Sequence, residues 1–404
     1  MKKVRLIWIV TLLTLGLTAC GGGSSNKAVT HKSGRFISST LLQEYSNKQI
    51  DIAGVDTKYP VKVYKIVYET KNIDGQFIDA SGLLSVPQKG ATAKSPTLLY
   101  HHGTTYENKY APTEFVRPDS FAVLPAYLGY IALAPDYIGY GESSDVLHPY
   151  LNVKVTATTS VDLLRASQSF LKENDIRFNQ QLFLGGYSQG GGATLGTQKL
   201  IETDLSDEFT VTASSAGAGG YALSKELLQE ADNILSHFDV ATFKRPSNLG
   251  LIFKAMDTAY ALDSLDKIFQ PKYASVVDDI YDGSHSSVYI DAKLSHQASK
   301  LMKKDFLQRL LNGEEEAVVN AFKANDLYDW SPKAPTRLYH GRDDDWVYFR
   351  QAQLAYDTMR ARGADNVELV ECKVDAGKLT NHSNCFFPYL FSSYEYFLPF
   401  AEDL

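Results

Sequence analysis

The chain has 404 residues, 44% hydrophobic and 22% charged, the balance of a folded globular protein, which excludes disorder, collagen-like repetition and coiled-coil rods for the chain as a whole. Its 47 acidic residues outnumber 40 basic ones for a formal charge of −7, which argues against nucleic acid as the main partner. Three cysteines are too few for a disulfide scaffold, while 25 Tyr and 20 Phe suit a core with polar-tipped edges or an apolar cleft.

The first twenty residues read as an address. Lys2, Lys3 and Arg5 precede an apolar run from Leu6 to Leu17, followed by Thr18, Ala19 and Cys20. A positive start, a short apolar stretch and small residues before a cleavage point describe a bacterial secretory signal over 1–19. The run is too short to span a bilayer comfortably. Leu17-Thr18-Ala19-Cys20 resembles the lipobox of bacterial lipoproteins, which implies lipidation of Cys20 and a membrane as partner through that lipid. The other reading is an ordinary signal with an incidental cysteine. A flexible Gly/Ser-led tether is expected over 20–35.

Residues 61–70 and 77–86 predict two alternating strands around an Asp74-Gly75 turn. Buried strands are expected at 97–100, 131–134, 181–184, 211–213, 336–339 and 367–370. Helical patterns fall between them at 121–128, 153–172, 189–201 and 350–362, with one more at the C-terminus. That alternation predicts an α/β fold, a mostly parallel sheet with helices on both faces. Between 220 and 335 it stops, and helices are expected at 225–235, 249–262, 296–311 and 314–323. The simplest account is an inserted helical cap dividing the core into 36–219 and 336–404. A separate helical domain fits less well, because the sheet pattern resumes afterwards. One apolar helix face in the insert, including Leu249, Leu251, Phe253 and Met256, either roofs an acyl-binding cleft or forms the cap's own core.

Chemistry enters at Gly186-Tyr187-Ser188-Gln189-Gly190, a G-x-S-x-G pattern between an expected strand and an expected helix. A serine there sits on a strained turn, and small flanking residues let the chain reverse. Its hydroxyl needs a base, and the base needs a carboxylate to set its tautomer. The chain order on such a scaffold is Ser, acid, His. Downstream lie the acidic triplet Asp343, Asp344 and Asp345 in a loop after an expected strand, and then His382, the only histidine past it. Tyr100-His101-His102-Gly103-Thr104-Thr105 follows the first parallel strand. Its Thr104 amide, with that of Gln189, is the candidate oxyanion hole. Adjacent His101 and His102 would point to opposite faces of a strand, so a shared metal is rejected. Cys372 and Cys385 bracket His382 in an oxidising setting and are expected to form a disulfide, free thiols being the alternative.

Together these residues resemble the α/β-hydrolase superfamily over residues 60–400. The resemblance rests on His102-Gly103, on Gly186–Gly190, and on His-Gly-x-x-Asp-x-x-Val at 340–347, which places the acid at Asp344. Asp136-Tyr137-Ile138-Gly139-Tyr140-Gly141, with His148-Pro149-Tyr150, is similar to the bacterial and fungal secretory lipases within it. The resemblance implies an α/β-hydrolase fold and cleavage of carboxylic esters through Ser188, His382 and Asp344, with no metal or organic cofactor. A peptidase or amidase on the same three residues and a non-catalytic surface lipoprotein are the alternatives. Oligomeric state is not legible.

Overall fold

In the computed structural model, which describes residues 31–48 and 57–404, three long antiparallel strands come first: β1 (Phe36–Tyr45), β2 (Val61–Lys71) and β3 (Phe77–Pro87). Six shorter ones follow: β4 (Thr97–His101), β5 (Ile131–Pro135), β6 (Leu182–Tyr187), β7 (Ala213–Gly217), β8 (Thr336–His340) and β9 (Val367–Glu371). All nine join one sheet in the order β1-β2-β3-β5-β4-β6-β7-β8-β9. Pairings from β1 to β5 are antiparallel, and every pairing from β5 across to β9 is parallel. This is the α/β-hydrolase fold, and the carboxyl ends of its parallel strands lie along one edge.

Between the strands run α1 (Leu124–Tyr127), α2 (Val153–Glu173) and α3 (Gln189–Asp204). Burial on both sheet faces follows from the period of two along β6. Leu182 and Leu184 pack with Leu163, Leu171 and Ile201 of α2 and α3. Phe183 between them points the other way, onto Phe397 at 5.1 Å.

After β7 the chain leaves the sheet for α4 (Leu223–Ser236), α5 (Pro246–Tyr260), α6 (Leu265–Ile268) and α7 (Pro271–Asp279). It continues through α8 (Ser287–Lys293), α9 (Ala298–Leu301), α10 (Lys304–Leu311) and α11 (Glu316–Lys323) before re-entering at β8. α12 (Phe349–Ala361) and α13 (Phe386–Phe397) complete the core. The inserted helices own a hydrophobic cluster around Phe253, Met256, Phe269, Phe306 and Phe322. Leu249, Ile252 and Tyr260 pack against that same cluster. The apolar face of α5 is therefore mostly the insert's interior and not a roof; Leu251 departs from it, packing with Tyr150 and Ala255.

Several elements differ from the sequence reading. β1 was not expected, because it is a largely exposed edge strand without clean alternation. β7 begins at Ala213, where the expected strand ended; its residues Ala213-Ser214-Ser215-Ala216-Gly217 form no apolar run yet are all buried. The helix expected at 121–128 shrinks to α1, with Pro125 in its first turn. The single helix expected at 296–311 breaks at Met302, which bridges to Phe269. The expected tether ends early: the Lys32 amide donates to Glu69 Oε2 at 2.6 Å, and the Arg35 guanidinium pairs with the same carboxylate. The expected signal 1–19, Cys20 and the tether up to residue 30 lie outside the described residues. Among the described residues no helix is long and apolar enough to cross a membrane.

Candidate active site

β6 ends at Tyr187 and α3 begins at Gln189, so Ser188 alone makes the turn, at φ 62° and ψ −123°. A non-glycine residue there is strained, and the surroundings have to enforce it. Glycines make the enforcement possible. A Cβ on Gly186 would stand 2.4 Å from the carbonyl oxygen of Gly190, and one on Gly190 2.0 Å from that of His101. Hydrogen bonds complete the grip. The Ser188 amide donates to the Gly217 carbonyl at 2.8 Å, and the Gly186 amide to the Tyr389 hydroxyl at 2.7 Å. That hydroxyl in turn donates to the Ser215 carbonyl at 2.7 Å.

The structure brings Ser188, His382 and Asp344 together. His382 Nε2 is 2.8 Å from Ser188 Oγ, and His382 Nδ1 is 2.7 Å from Asp344 Oδ2. With the proton on Nδ1, facing the carboxylate, the Nε2 lone pair faces the serine O–H. Asp344 is itself held: the Trp346 and Val347 amides each donate to its Oδ1 at 2.9 Å, and His340 Nε2 lies 3.3 Å from Oδ2. Burial pushes this carboxyl up, but hydrogen bonds from His340 and His382, with their charge, outweigh it and hold the group well below the usual range. Asp344 thus stays anionic at any ordinary pH. Its neighbours face elsewhere. Asp343 Oδ2 accepts from the Thr380 amide and hydroxyl at 2.9 and 2.8 Å, and Asp345 pairs with Lys244 at 2.6 Å.

Cys372 and Cys385 are joined, closing a loop that contains His382. Gly341 lets that loop sit close, since a Cβ there would lie 1.9 Å from the Thr380 carbonyl oxygen. The Tyr187 hydroxyl donates to the His382 carbonyl at 2.8 Å, tying the histidine loop to the residue before the serine.

On the other flank, a Cβ on Gly103 would be 3.9 Å from Ser188 Cβ, so the loop carrying Thr104 runs beside the serine. The side chains of both candidate oxyanion residues are engaged elsewhere. Thr104 Oγ1 meets the Tyr150 hydroxyl at 2.7 Å, and Gln189 Nε2 meets His148 Nε2 at 2.8 Å. Their backbone amides donate to no other group among the described residues. Burial lowers the His148 imidazole to about 4; it is neutral, donating from Nδ1 to the Ile138 carbonyl and accepting from Gln189. His148 and Tyr150 support this flank in a way the sequence reading did not assign, although the His148-Pro149-Tyr150 motif was visible. His101 and His102 diverge: His101 bonds Thr194 and Ser160, whereas His102 stacks on Tyr137 at 4.1 Å.

A separate cavity of about 420 Å³ lies between core and insert, lined by Thr105, Tyr140 and His148 on one side and Leu251, Lys254 and Tyr281 on the other. Its lining does not include Ser188, His382 or Asp344.

A model of the secretory lipase family matches residues 110–384. No curated protein matches the chain. Among solved structures, the ligand-bound rice cell wall degrading esterase LipA from Xanthomonas oryzae is 25% identical, with TM-score 0.78 over 89% of this chain and 95% of its own. A putative hydrolase from Legionella pneumophila is 23% identical, with TM-score 0.79 over 91% and 98%. Candida antarctica lipase A shares the fold at 15% identity, with TM-score 0.59 over 87% of this chain and 78% of its own.

Proposed function

The chain belongs to the secretory lipase family, a group of carboxylic ester hydrolases, and we propose that it works through an acyl-enzyme on Ser188. One observation supports this above the rest: an unbroken hydrogen-bonded line from Ser188 Oγ through His382 to Asp344, anchored on a serine at positive φ. His382 Nε2 takes the hydroxyl proton as Oγ attacks the acyl carbon. Asp344 fixes the reactive tautomer and stabilises the imidazolium. Negative charge on the former carbonyl oxygen is met by the Thr104 and Gln189 amides, each such donor worth about 3 kcal/mol of barrier. The imidazolium then protonates the departing alkoxy oxygen, the alcohol leaves, and the acyl group remains on Oγ. Water attacks that ester, His382 accepts its proton and returns it to Oγ, and the carboxylic acid departs.

Export is in keeping with the family. Attachment through a lipid on Cys20 is part of the same proposal, supported by Leu17-Thr18-Ala19-Cys20, and residues 220–335 act as the cap. The test is hydrolysis of ester and peptide substrates by wild type, Ser188→Ala and His382→Ala. Esters should be cleaved and peptides not, and each variant should lose on the order of 10⁶-fold in kcat, as triads acting as a unit do. More than about a tenth of wild-type activity in either purified variant would contradict a mechanism of this size.

A further inference from the structure

His382 has a neighbour that the hydrolysis scheme does not use. The Trp346 indole stacks on its imidazole, with ring centres 4.8 Å apart and planes 24° from parallel. Trp346 stands two residues beyond Asp344, and its amide is bound to that carboxylate at 2.9 Å, so its backbone is fixed by the site. Its ring is held from the insert: the Arg245 guanidinium lies 3.9 Å from the indole centre. Arg245 directly precedes α5, and the adjacent Lys244 pairs with Asp345. A second aromatic neighbour is Tyr187, whose ring centre is 5.0 Å from that of His382, with the planes tilted by 45°.

The two hydrogen bonds of His382 lie in the plane of its ring. They set the direction of Nδ1 and Nε2 but resist tilting of the ring weakly; groups against its faces do that. Once Ser188 Oγ is esterified, the serine proton no longer bonds Nε2, and Asp344, the stacked Trp346 and the tilted Tyr187 are what hold the imidazole while water is activated. An indole face also favours the imidazolium formed in each step.

We propose that Trp346, held by Arg245, is a positioning residue for His382, and that through this contact the insert acts on the chemistry. The inference rests on His382 being the general base. Trp346 is 38% exposed, so truncating it opens no buried cavity and should leave thermal stability near wild type. Trp346→Leu should lower kcat on the order of 10-fold with little change in KM, because misplacing a reacting group costs rate. Trp346→Phe should restore most of that loss. Arg245→Ala should cost about threefold alone and nothing further in the Trp346→Leu background, the coupling expected of contacting residues.

Emission gives an independent readout, because a protonated imidazole quenches an indole stacked on it. With Trp8→Phe and Trp330→Phe, Trp346 is the sole indole of the full chain. Its emission should fall on acidification with the midpoint of the acid limb of kcat/KM. Asp344, His340, Asp345 paired with Lys244, Arg245 and Tyr187 also surround the pair, so the transition must vanish in His382→Gln. Unchanged kcat in Trp346→Leu, a flat emission profile, or a transition that survives His382→Gln overturns the proposal. Should Trp346→Leu not fold, the emission titration decides alone. Ser188→Ala in the same panel separates the two readings: its activity would sink the hydrolysis scheme, whereas full kcat in Trp346→Leu beside an inactive Ser188→Ala sinks only the positioning role.

Discussion

Around Ser188 the chain is positioned by backbone against backbone, whereas the insert between β7 and β8 is positioned by side chains packed on one another. In the first region Gly186 and Gly190 touch carbonyl oxygens that no larger residue would permit, and the Tyr389 hydroxyl ties β6 to β7. In the second, Phe253, Phe269, Phe306 and Phe322 fill an interior of their own. Two consecutive side chains of the insert, Lys244 and Arg245, reach the acid loop. The contrast teaches that the two regions answer to different constraints, close backbone approach around the serine and side-chain volume within the insert. Jigsaw packing tolerates volume-conserving change, but a glycine against a carbonyl does not.

Substitutions in the acidic triplet test that contrast most severely, because one of the three carboxylates is built into the core and another faces the insert. Asp344→Asn should cut kcat on the order of 10⁴-fold by favouring the wrong histidine tautomer. Asp345→Asn should change it little, since its partner Lys244 is 71% exposed and such ion pairs contribute about 0–1 kcal/mol. Asp343→Asn, which weakens the Thr380 contacts, should cost under about tenfold, the scale of one hydrogen bond. Steady-state kinetics on the three variants checks the order; a larger loss at Asp345 than at Asp344 would break the comparison.

Tyr389→Phe probes the backbone grip without touching the reacting atoms. It leaves the buried Gly186 amide without its acceptor, so denaturant melts should show a loss of about 1–3 kcal/mol. No loss of stability would mean that the tyrosine is not what holds the elbow. The smallest effect sharpens the insert's role. Because α5 spends Phe253 and Met256 on the insert's core, lengthening an ester's acyl chain should gain less than the roughly 0.8 kcal/mol per CH₂ of full burial. A p-nitrophenyl ester series in which kcat/KM climbs by the full increment beyond butanoate would show that another apolar face roofs the site.

The same contrast explains what was legible. Local chemistry was: Gly186–Gly190 needs small residues within five positions, chain order points to the acidic triplet and to His382, and the resemblance to the hydrolase pattern at 340–347 selects Asp344 within the triplet. What depends on distant partners was not. β7 reads as a weak segment because what its last residue needs lies elsewhere: a Cβ on Gly217 would stand 2.6 Å from the rings of Tyr187 and Tyr389, the second far away in sequence. The break at Met302 answers to Phe269, and Trp346 occupies a variable position of its motif with nothing local to mark its stacking on His382. His148 and Tyr150 were conspicuous, yet their attachment to Gln189 and Thr104 exists only once the sheet has assembled.

Trapping the covalent intermediate tests the central claim most directly. Wild-type protein mixed with a slowly deacylating ester and quenched in acid should gain the mass of one acyl group, mapped by peptide sequencing to Ser188. The adduct should be missing from Ser188→Ala and persist longer in Trp346→Leu. An acyl group on any other residue, or rapid ester cleavage by Ser188→Ala, would contradict the account.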